Sequence, residues 1–160
     1  MPKVVLLENV RSLHNVGAVF RTADGAGFNE VCLTGYTGCP PDRRIEKVSL
    51  GAENMLEWKH FESPIEAVTH YKSIGYTIWA LEQVSTSSDL FSGALEVPEK
   101  LVLVLGNEVE GVSPEVLRVV DMAVEIPMRG QKGSLNVSVS AGIAMYQVMN
   151  LSKKSVAGID

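Results

Sequence analysis

Polar residues with chemical potential cluster in three segments, each of which follows a run of apolar residues. The first segment, residues 9–21, contains Asn15 and Arg21. The second, residues 106–111, reads GNEVEG, and the third covers residues 126–138. Arginine binds phosphate through a planar fork of N–H donors, and carboxylates and hydroxyls orient ligands or exchange protons. Residues of these types can therefore bind a ligand or take part in proton transfer.

The sequence lacks the patterns of a metal centre or of nucleophilic catalysis. His14, His60 and His70 are scattered, and Cys32 and Cys39 have no companions at the spacing of zinc ligands. No G-x-S-x-G motif marks a nucleophile. GNEVEG lacks the Gly-Lys-Ser/Thr ending of a phosphate-binding loop. We therefore predict no metal site.

Each polar segment also has a purely structural interpretation. Asn15 could cap the helix that follows the first apolar run, and Ser134 could cap the last helix. Arg21 lies off the apolar face of its predicted helix and could simply pair with Asp24, three residues on. Gly106 could mark an ordinary turn between a strand and a helix. The residues alone leave these alternatives open.

The elements that position these segments are five short strands alternating with helices. The strands are rich in Val, Ile and Leu with little alternation, which is typical of strands buried on both faces; they are Val4–Leu7, Val31–Leu33, Tyr76–Leu81, Leu101–Leu105 and Met122–Ile126. Strands that alternate with helices predict an α/β fold, a mostly parallel sheet flanked by helices. In such sheets ligands bind beyond the carboxyl ends of the strands, where the three polar segments fall.

Four helices are predicted between and after these strands. The first has one apolar face at helical spacing, made of Val16, Val19, Phe20, Ala23 and Gly27. Two Ser-Pro pairs, at 63–64 and 113–114, are typical helix starts, with serine as cap and proline at the first helical position. The last helix is predicted over Val137–Leu151. Residues 35–42 read as a turn region, and residues 83–95 as a loop with a short strand or helix.

Composition and charge narrow the class of protein. The 160 residues carry a net charge of −5, with 46% hydrophobic and 21% charged residues. This composition predicts one globular domain, residues 1–151, and a polar tail, residues 152–160, and it excludes a disordered or collagen-like chain. No apolar run approaches the roughly 18 residues that a membrane span needs. We expect a cytoplasmic protein without a membrane partner.

Together and in this order, the three segments resemble the motifs of the SpoU/TrmH family of SPOUT-superfamily RNA methyltransferases. The family motif N-x-G-x-x-x-R corresponds to Asn15, Gly17 and Arg21. The motif G-N/S-E-x-x-G corresponds to residues 106–111. The motif I-P-M…S-L-N-V-S/A corresponds to residues within 126–138. The resemblance covers nearly the whole chain.

The resemblance implies a SPOUT fold with a deep trefoil knot at the C-terminal end, and a homodimer with sites at the subunit interface. We expect the interface to include the last helix, whose apolar residues would otherwise all fill the core of the single chain; they are Val137, Ala141, Ala144, Met145, Val148 and Met149. It implies S-adenosylmethionine as the methyl donor and methylation of a ribose 2′-hydroxyl in tRNA or rRNA. One alternative is a catalytically inactive RNA-binding protein on the same fold. Another is a nucleotide-binding α/β enzyme without RNA, although the G-x-G-x-x-G of a Rossmann dehydrogenase is missing after the first strand.

The resemblance also implies residue roles. The catalytic residues would be Arg21, Asn15, Glu108, Ser134 and Asn136. The cofactor would lie in an apolar slot formed by Leu105, Gly106, Ile126, Met128, Ser134 and Leu135. Lowering the pKa of an arginine side chain from about 12.5 to 7 costs roughly 7.5 kcal/mol. We therefore favour Arg21 acting together with a substrate phosphate over a bare guanidine base.

Basic residues near the motifs are predicted to contact RNA. They are Arg11, Arg21, Arg43, Arg44, Arg129 and Lys132. Their convergence would place one basic face on an acidic body. Aromatic residues make up only 6% of the chain, so base stacking is not expected to be the main mode of RNA binding.

Overall fold

A computed structural model describes residues 2–157, in which strands and helices alternate. The elements are β1 (Lys3–Glu8), α1 (Leu13–Ala26), β2 (Glu30–Thr34), α2 (Arg43–Ser49), a 3-10 turn (Ala52–Asn54), β3 (Glu57–Phe61), α3 (Pro64–Ser73), β4 (Thr77–Leu81), β5 (Ser88–Asp89), β6 (Leu101–Leu105), α4 (Pro114–Leu117), β7 (Met122–Glu125) and α5 (Val137–Ala157). The seven strands form one sheet in the order β3-β2-β1-β6-β4-β7-β5. Every pairing of neighbouring strands is parallel. The predicted α/β class is confirmed, and the trefoil knot stays a prediction.

The sheet is covered on both faces, so successive residues of its central strands enter two different apolar cores. Val5 and Leu7 of β1 pack into the core beneath α1 and α5. Val4 and Leu6 pack into the core beneath α3 and α4. Side chains alternate across a strand, and here both sides are apolar. This two-sided burial explains why the strands read as continuous apolar runs.

Helix α1 begins at a serine cap and ends at a glycine. The Ser12 hydroxyl accepts a hydrogen bond from the backbone N–H of Asn15. Gly27 follows the helix with a φ of 89°, the left-handed conformation that glycine adopts readily. The four predicted face residues before Gly27 are buried. Assigning Gly27 to the buried face was wrong, because it is the exposed C-terminal cap.

One strand, one α-helix and the 3-10 turn were missed, and two helix starts are confirmed. β3 is an edge strand with the sequence EWKHF and exposed side chains, so it has no apolar run. α2 is a seven-residue helix rich in charge, too short for a clear periodic pattern. Ser63 and Ser113 cap α3 and α4 as predicted, each accepting a backbone N–H. The short strand β5 lies in the segment 83–95, where a short element was expected.

Helix α5 is longer than predicted and packs against α1. It continues past Leu151 to Ala157. The Ser152 side chain is buried, and its hydroxyl donates to the carbonyl of Val148, which satisfies a polar group inside the helix. Within residues 2–157, no helix is long and apolar enough to cross a bilayer. The extent of the predicted domain, residues 1–151, remains a prediction.

Candidate active site

A cleft of about 330 Å³ opens at the carboxyl ends of β4, β6 and β7. All six residues predicted to hold the cofactor line it: Leu105, Gly106, Ile126, Met128, Ser134 and Leu135. The second and third polar segments, which are about 20 residues apart in sequence, thus form two walls of one cavity. A volume in this range is typical of small-molecule sites, which occupy about 300–1,000 Å³. The cleft is the candidate binding site.

Glu108 connects the second polar segment to the first. Its carboxylate accepts hydrogen bonds from the backbone N–H groups of Arg11 and Ser12, both at 2.9 Å. The side-chain amide of Asn15 donates to the same carboxylate at 3.3 Å. Although partial burial alone raises the pKa of Glu108, the two backbone hydrogen bonds lower it below its usual value. The ionised carboxylate therefore holds the beginning of α1 in place.

Two further glutamates, absent from the predicted site, hold the loop after β6. The Glu82 carboxylate accepts the backbone N–H of Val112 at 2.8 Å. Glu8 accepts both the backbone N–H and the hydroxyl of Ser113, at 2.8 and 2.6 Å. Glu8 is the last residue of its strand, and Glu82 directly follows another. Nothing in the surrounding sequence indicates that either carboxylate binds a loop backbone. Three carboxylates thus fix the segments around the cleft.

Gly106 and Gly111 bring the two ends of the GNEVEG loop into close contact. The backbones of Asn107 and Gly111 exchange two hydrogen bonds, at 3.1 and 2.9 Å. A Cβ atom added to Gly106 would lie 2.0 Å from the carbonyl carbon of Gly111. Gly111 has a φ of 71°, and a Cβ there would meet the Glu82 carboxylate. Both glycines are therefore required by the loop geometry, beyond an ordinary turn.

Arg21 and Asn15 occupy different environments on α1. Asn15 is buried, and Ser12 rather than Asn15 caps the helix, so the capping interpretation of Asn15 is wrong. Arg21 is exposed. Among residues 2–157 its side chain forms no ion pair, so the alternative pairing with Asp24 is also wrong. Arg21 is not among the residues that line the cleft of its own chain.

Asn136 and Ser134 precede α5. The Asn136 side-chain oxygen accepts both the backbone N–H and the hydroxyl of Ser138, at 2.9 and 2.6 Å. Asn136 therefore caps the helix, and the capping interpretation of Ser134 is wrong. Ser134 is exposed at the cleft. Within the described residues, no group of three or more His, Cys, Asp or Glu side chains could hold a metal ion.

Comparison with known proteins assigns the fold and the motifs to one family. The sequence model of the SpoU rRNA Methylase family matches residues 2–146. The chain belongs to that family. It is 33% identical over 145 residues to the tRNA (guanosine(18)-2′-O)-methyltransferase of Aquifex aeolicus, covering 90% of this chain and 67% of that protein.

Two further relatives extend the comparison. The chain is 35% identical over 136 residues to the tRNA (guanosine(18)-2′-O)-methyltransferase TARBP1 of Mus musculus, covering 83% of this chain and 8% of that protein. The crystal structure of the AdoMet-bound rRNA methyltransferase from Sinorhizobium meliloti aligns with a TM-score of 0.86 at 25% identity, covering 93% of this chain and 56% of that one. The chain thus spans only part of each relative.

Apart from Arg21 on α1, the predicted RNA-binding residues of this family member lie in two places. A groove of about 430 Å³ between the start of α1 and α2 is lined by Arg11, Leu13, His14, Arg44, Lys47 and Val48. Arg43 is exposed at the first position of α2, and Arg129 and Lys132 are exposed on the segment after β7. Lys47 belongs to the same set of basic residues near the motifs that could form one basic face, whereas His14 was interpreted as a turn residue and was not predicted to contact RNA.

Arg44 is the one predicted RNA contact that already has a carboxylate partner among the described residues. Its guanidinium donates two hydrogen bonds to Asp42, at 3.2 and 3.0 Å. These bonds lower the pKa of Asp42 and raise that of Arg44. Because the pair is exposed, it adds little to stability. Its effect is to reduce the charge that Arg44 can offer to a phosphate.

Proposed function

We propose that the chain is an S-adenosylmethionine-dependent RNA methyltransferase that methylates a ribose 2′-hydroxyl in tRNA or rRNA. One observation carries the proposal: the six residues expected to hold the cofactor converge on one cleft, and Glu108 of that cleft bonds to the beginning of the helix that bears Arg21. Family membership and the activity in the name of the Aquifex aeolicus relative agree with it.

The lining of the cleft fits S-adenosylmethionine. Leu105, Ile126 and Leu135 offer apolar surface to the adenine ring. Gly106 lines the cleft with its main chain, while the direction of its missing side chain is filled by the Gly111 backbone. The carboxylate of Glu125 also lines the cleft, and a carboxylate suits the positive charge of a sulfonium ligand.

The chemistry demanded of the protein is limited, because a bound sulfonium cofactor supplies an already activated methyl group. The chain's own residues must align the ribose hydroxyl and accept or share its proton. Arg21, acting with a substrate phosphate, performs this role in our proposal. Asn15 and Glu108 order the start of its helix, and Ser134 and Asn136 order the segment that closes the cleft.

We propose further that two chains form a homodimer in which each supplies Arg21 to a site at the interface. The predicted interface residues of α5 do not carry this proposal, because Val137, Ala141, Ala144, Met145 and Val148 fill the core of the single chain and Met149 packs against it. A different face of α5 carries three apolar side chains that are 36–55% exposed: Val139, Ile143 and Tyr146.

This exposed face of α5 lies beside α1. A Cβ on Gly25 of α1 would meet the Tyr146 hydroxyl at 3.0 Å, and a Cβ on Gly142 would meet Thr22 at 3.3 Å. Arg21 adjoins Thr22 in sequence. An apolar contact between two copies at this face would therefore bury surface next to Arg21. It would also explain how a residue outside its own cleft reaches a reaction site.

The decisive experiment is methyl transfer from labelled S-adenosylmethionine to total RNA, followed by mapping of the modified nucleotide. S-adenosylhomocysteine should raise the melting temperature, whereas NAD should not. Binding of S-adenosylhomocysteine without transfer to any RNA would favour the inactive RNA-binding alternative. Stabilisation by NAD would favour a nucleotide-binding enzyme of another class.

A further inference from the structure

Tyr36, which no motif includes, presents an aromatic ring to solvent beside the candidate site. It follows β2 at the carboxyl edge of the sheet, and its side chain is 58% exposed. Its hydroxyl oxygen accepts a hydrogen bond from the side-chain amide of Asn107 at 2.7 Å. Asn107 lines the cleft. An exposed ring is thus attached at its tip to the loop that forms the cleft wall.

The backbone around Tyr36 is also held by hydrogen bonds. The backbone N–H of Tyr36 donates to the side-chain oxygen of Asn9 at 3.0 Å. Asn9 has a φ of 52°, a conformation that a non-glycine residue adopts only at a cost. Gly35 has a φ of 64°, and a Cβ there would lie 1.8 Å from the same Asn9 oxygen. His60 contacts the Gly35 carbonyl at 2.9 Å.

These contacts join the ends of four neighbouring strands, β3, β2, β1 and β6, around one side chain. Asn107 also donates to the carbonyl of Asn9 at 2.8 Å, which closes the network. An apolar ring that served only the core would be buried. Here the surrounding bonds instead keep the ring outside, in one orientation.

We propose that Tyr36 is a stacking platform for an unpaired base of the RNA substrate, close to the nucleotide that is methylated. This inference rests on the proposed function and adds a contact to a base, where the predicted arginine contacts are to phosphate. A fixed tyrosine loses little side-chain freedom on binding, and stacking is a principal way in which proteins hold single-stranded RNA bases. The backbone N–H of Arg11 donates to Glu108, the residue after Asn107, and in this proposal the Arg11 side chain contacts an adjoining backbone phosphate.

The test compares Tyr36→Leu, which removes the ring, with Tyr36→Phe, which keeps the ring and removes the hydroxyl. RNA affinity is measured on unfractionated tRNA or total ribosomal RNA, whichever accepts methyl groups from the unmodified protein. Tyr36→Leu should weaken RNA binding roughly 5- to 150-fold. Tyr36→Phe should weaken it by a smaller factor. Neither should change the salt dependence of binding, because no charge is removed.

Phe91→Leu is the matched control. Phe91 is also an exposed aromatic residue, but it follows β5, five strands from β2 and therefore roughly 24 Å away. Its substitution should leave RNA affinity unchanged. The affinity of Tyr36→Leu for S-adenosylhomocysteine should stay within about twofold of the unmodified protein, because Asn107 retains its bonds to the Val109 and Glu110 backbone.

Unchanged RNA binding by Tyr36→Leu would overturn the inference and leave the proposed function intact. An equal loss of RNA and S-adenosylhomocysteine affinity would also overturn it, because Tyr36 would then only brace the cleft. If the unmodified protein transferred methyl groups to neither class of RNA, the proposed function itself would fail. Failure of the proposed function can be distinguished from failure of this inference, because it is observed with the unmodified protein before any variant is made.

Discussion

The Glu108 carboxylate accepts a hydrogen bond from the backbone N–H of Ser12 at 2.9 Å, although 96 residues separate them in the chain. Ser12 in turn caps α1, the helix that carries Arg21. The loop that forms one wall of the cleft therefore also fixes where that helix begins. An ionised carboxylate at a helix N-terminus is favoured by the helix dipole and by the free N–H groups there. The wall of the cleft and the helix that carries Arg21 are thus connected through this contact.

The first prediction concerns this carboxylate. Glu108→Gln should lower the free energy of unfolding by about 1–2 kcal/mol at pH 7, because a neutral amide replaces an ionised helix-capping acceptor. Denaturant unfolding measures the difference. Glu110→Gln is the control, since Glu110 is exposed on the same loop and its side chain has no hydrogen-bond partner among residues 2–157. Equal effects of the two substitutions would contradict the capping role.

The same contact has a pH dependence of defined sign. The folded state holds the pKa of Glu108 below its usual 4.5. Its stabilisation is therefore complete above that value and is lost as the pH falls through the lowered pKa. The stability difference between the unmodified protein and Glu108→Gln should be constant near neutrality and shrink below pH 4.5. A difference that stayed constant to low pH would mean that ionisation of Glu108 does not matter.

The second prediction tests the close approach inside the GNEVEG loop. Gly106→Ala should destabilise the fold by about 1–3 kcal/mol, because the new methyl group would overlap the Gly111 backbone. Binding of S-adenosylhomocysteine should weaken at least about tenfold as the cleft wall shifts. Gly130→Ala is the control, as a Cβ there meets nothing within 4 Å. Calorimetric titration of both variants gives the answer, and normal binding by Gly106→Ala would exclude this loop as a cofactor site.

The third prediction separates catalysis from binding at Arg21. Arg21→Ala should keep the free energy of unfolding within about 0.5 kcal/mol and keep S-adenosylhomocysteine affinity, because the side chain is exposed and lies outside the cleft. Methyl transfer should fall about 10²- to 10⁴-fold. Arg21→Lys should rescue poorly, since lysine cannot make a forked contact to phosphate. Arg118→Ala, which removes an exposed arginine after α4, should retain activity. Full turnover by Arg21→Ala would remove the residue from the mechanism.

The fourth prediction concerns the proposed dimer. Ile143→Asp should convert a dimer into a monomer without loss of helix content, because it places a charge in the exposed apolar face of α5. Light scattering at micromolar concentration measures the mass, and circular dichroism reports the fold. Ile74→Asp, which alters an exposed residue after α3 on the other side of the sheet, should leave the dimer intact. A monomeric mass for the unmodified protein would reject the dimer.

The central strands could be predicted from the apolar pattern of the sequence, and the reason is physical. Strands buried on both faces must be apolar throughout, so β1, β4, β6 and β7 were recognisable from composition alone. Edge strand β3 has one neighbour and exposed side chains, so nothing forces it to be apolar. The six cleft residues were named from the resemblance to the family motifs, and they meet in one cleft because the carboxyl ends of parallel strands share one edge of the sheet.

The interface and the supporting carboxylates could not be inferred in the same way. An apolar residue on α5 enters the core or the surface according to how the helix is rotated, and that rotation is set by packing against α1. The choice of Val137 and Met145 as interface residues failed for this reason, since they face the core. Glu8 and Glu82 were missed because the sequence does not show whether a glutamate at a strand end is hydrated or accepts a hydrogen bond from a backbone N–H.

The last prediction concerns the basic residues at the start of α2. Arg43→Ala should reduce the slope of log affinity for RNA against log salt concentration by roughly 0.7–0.9, the value for one phosphate contact. Arg44→Ala should reduce it less, because Asp42 already neutralises part of that charge. Lys72→Ala is the control, an exposed cation on α3 that faces Asp121 at 3.9 Å, and it should leave the slope unchanged. Because the body carries a net charge of −5, the loss should be largest at low salt, where screening is weak. Affinities measured from low to physiological salt decide the matter: an unchanged slope for Arg43→Ala would place the RNA-binding face elsewhere.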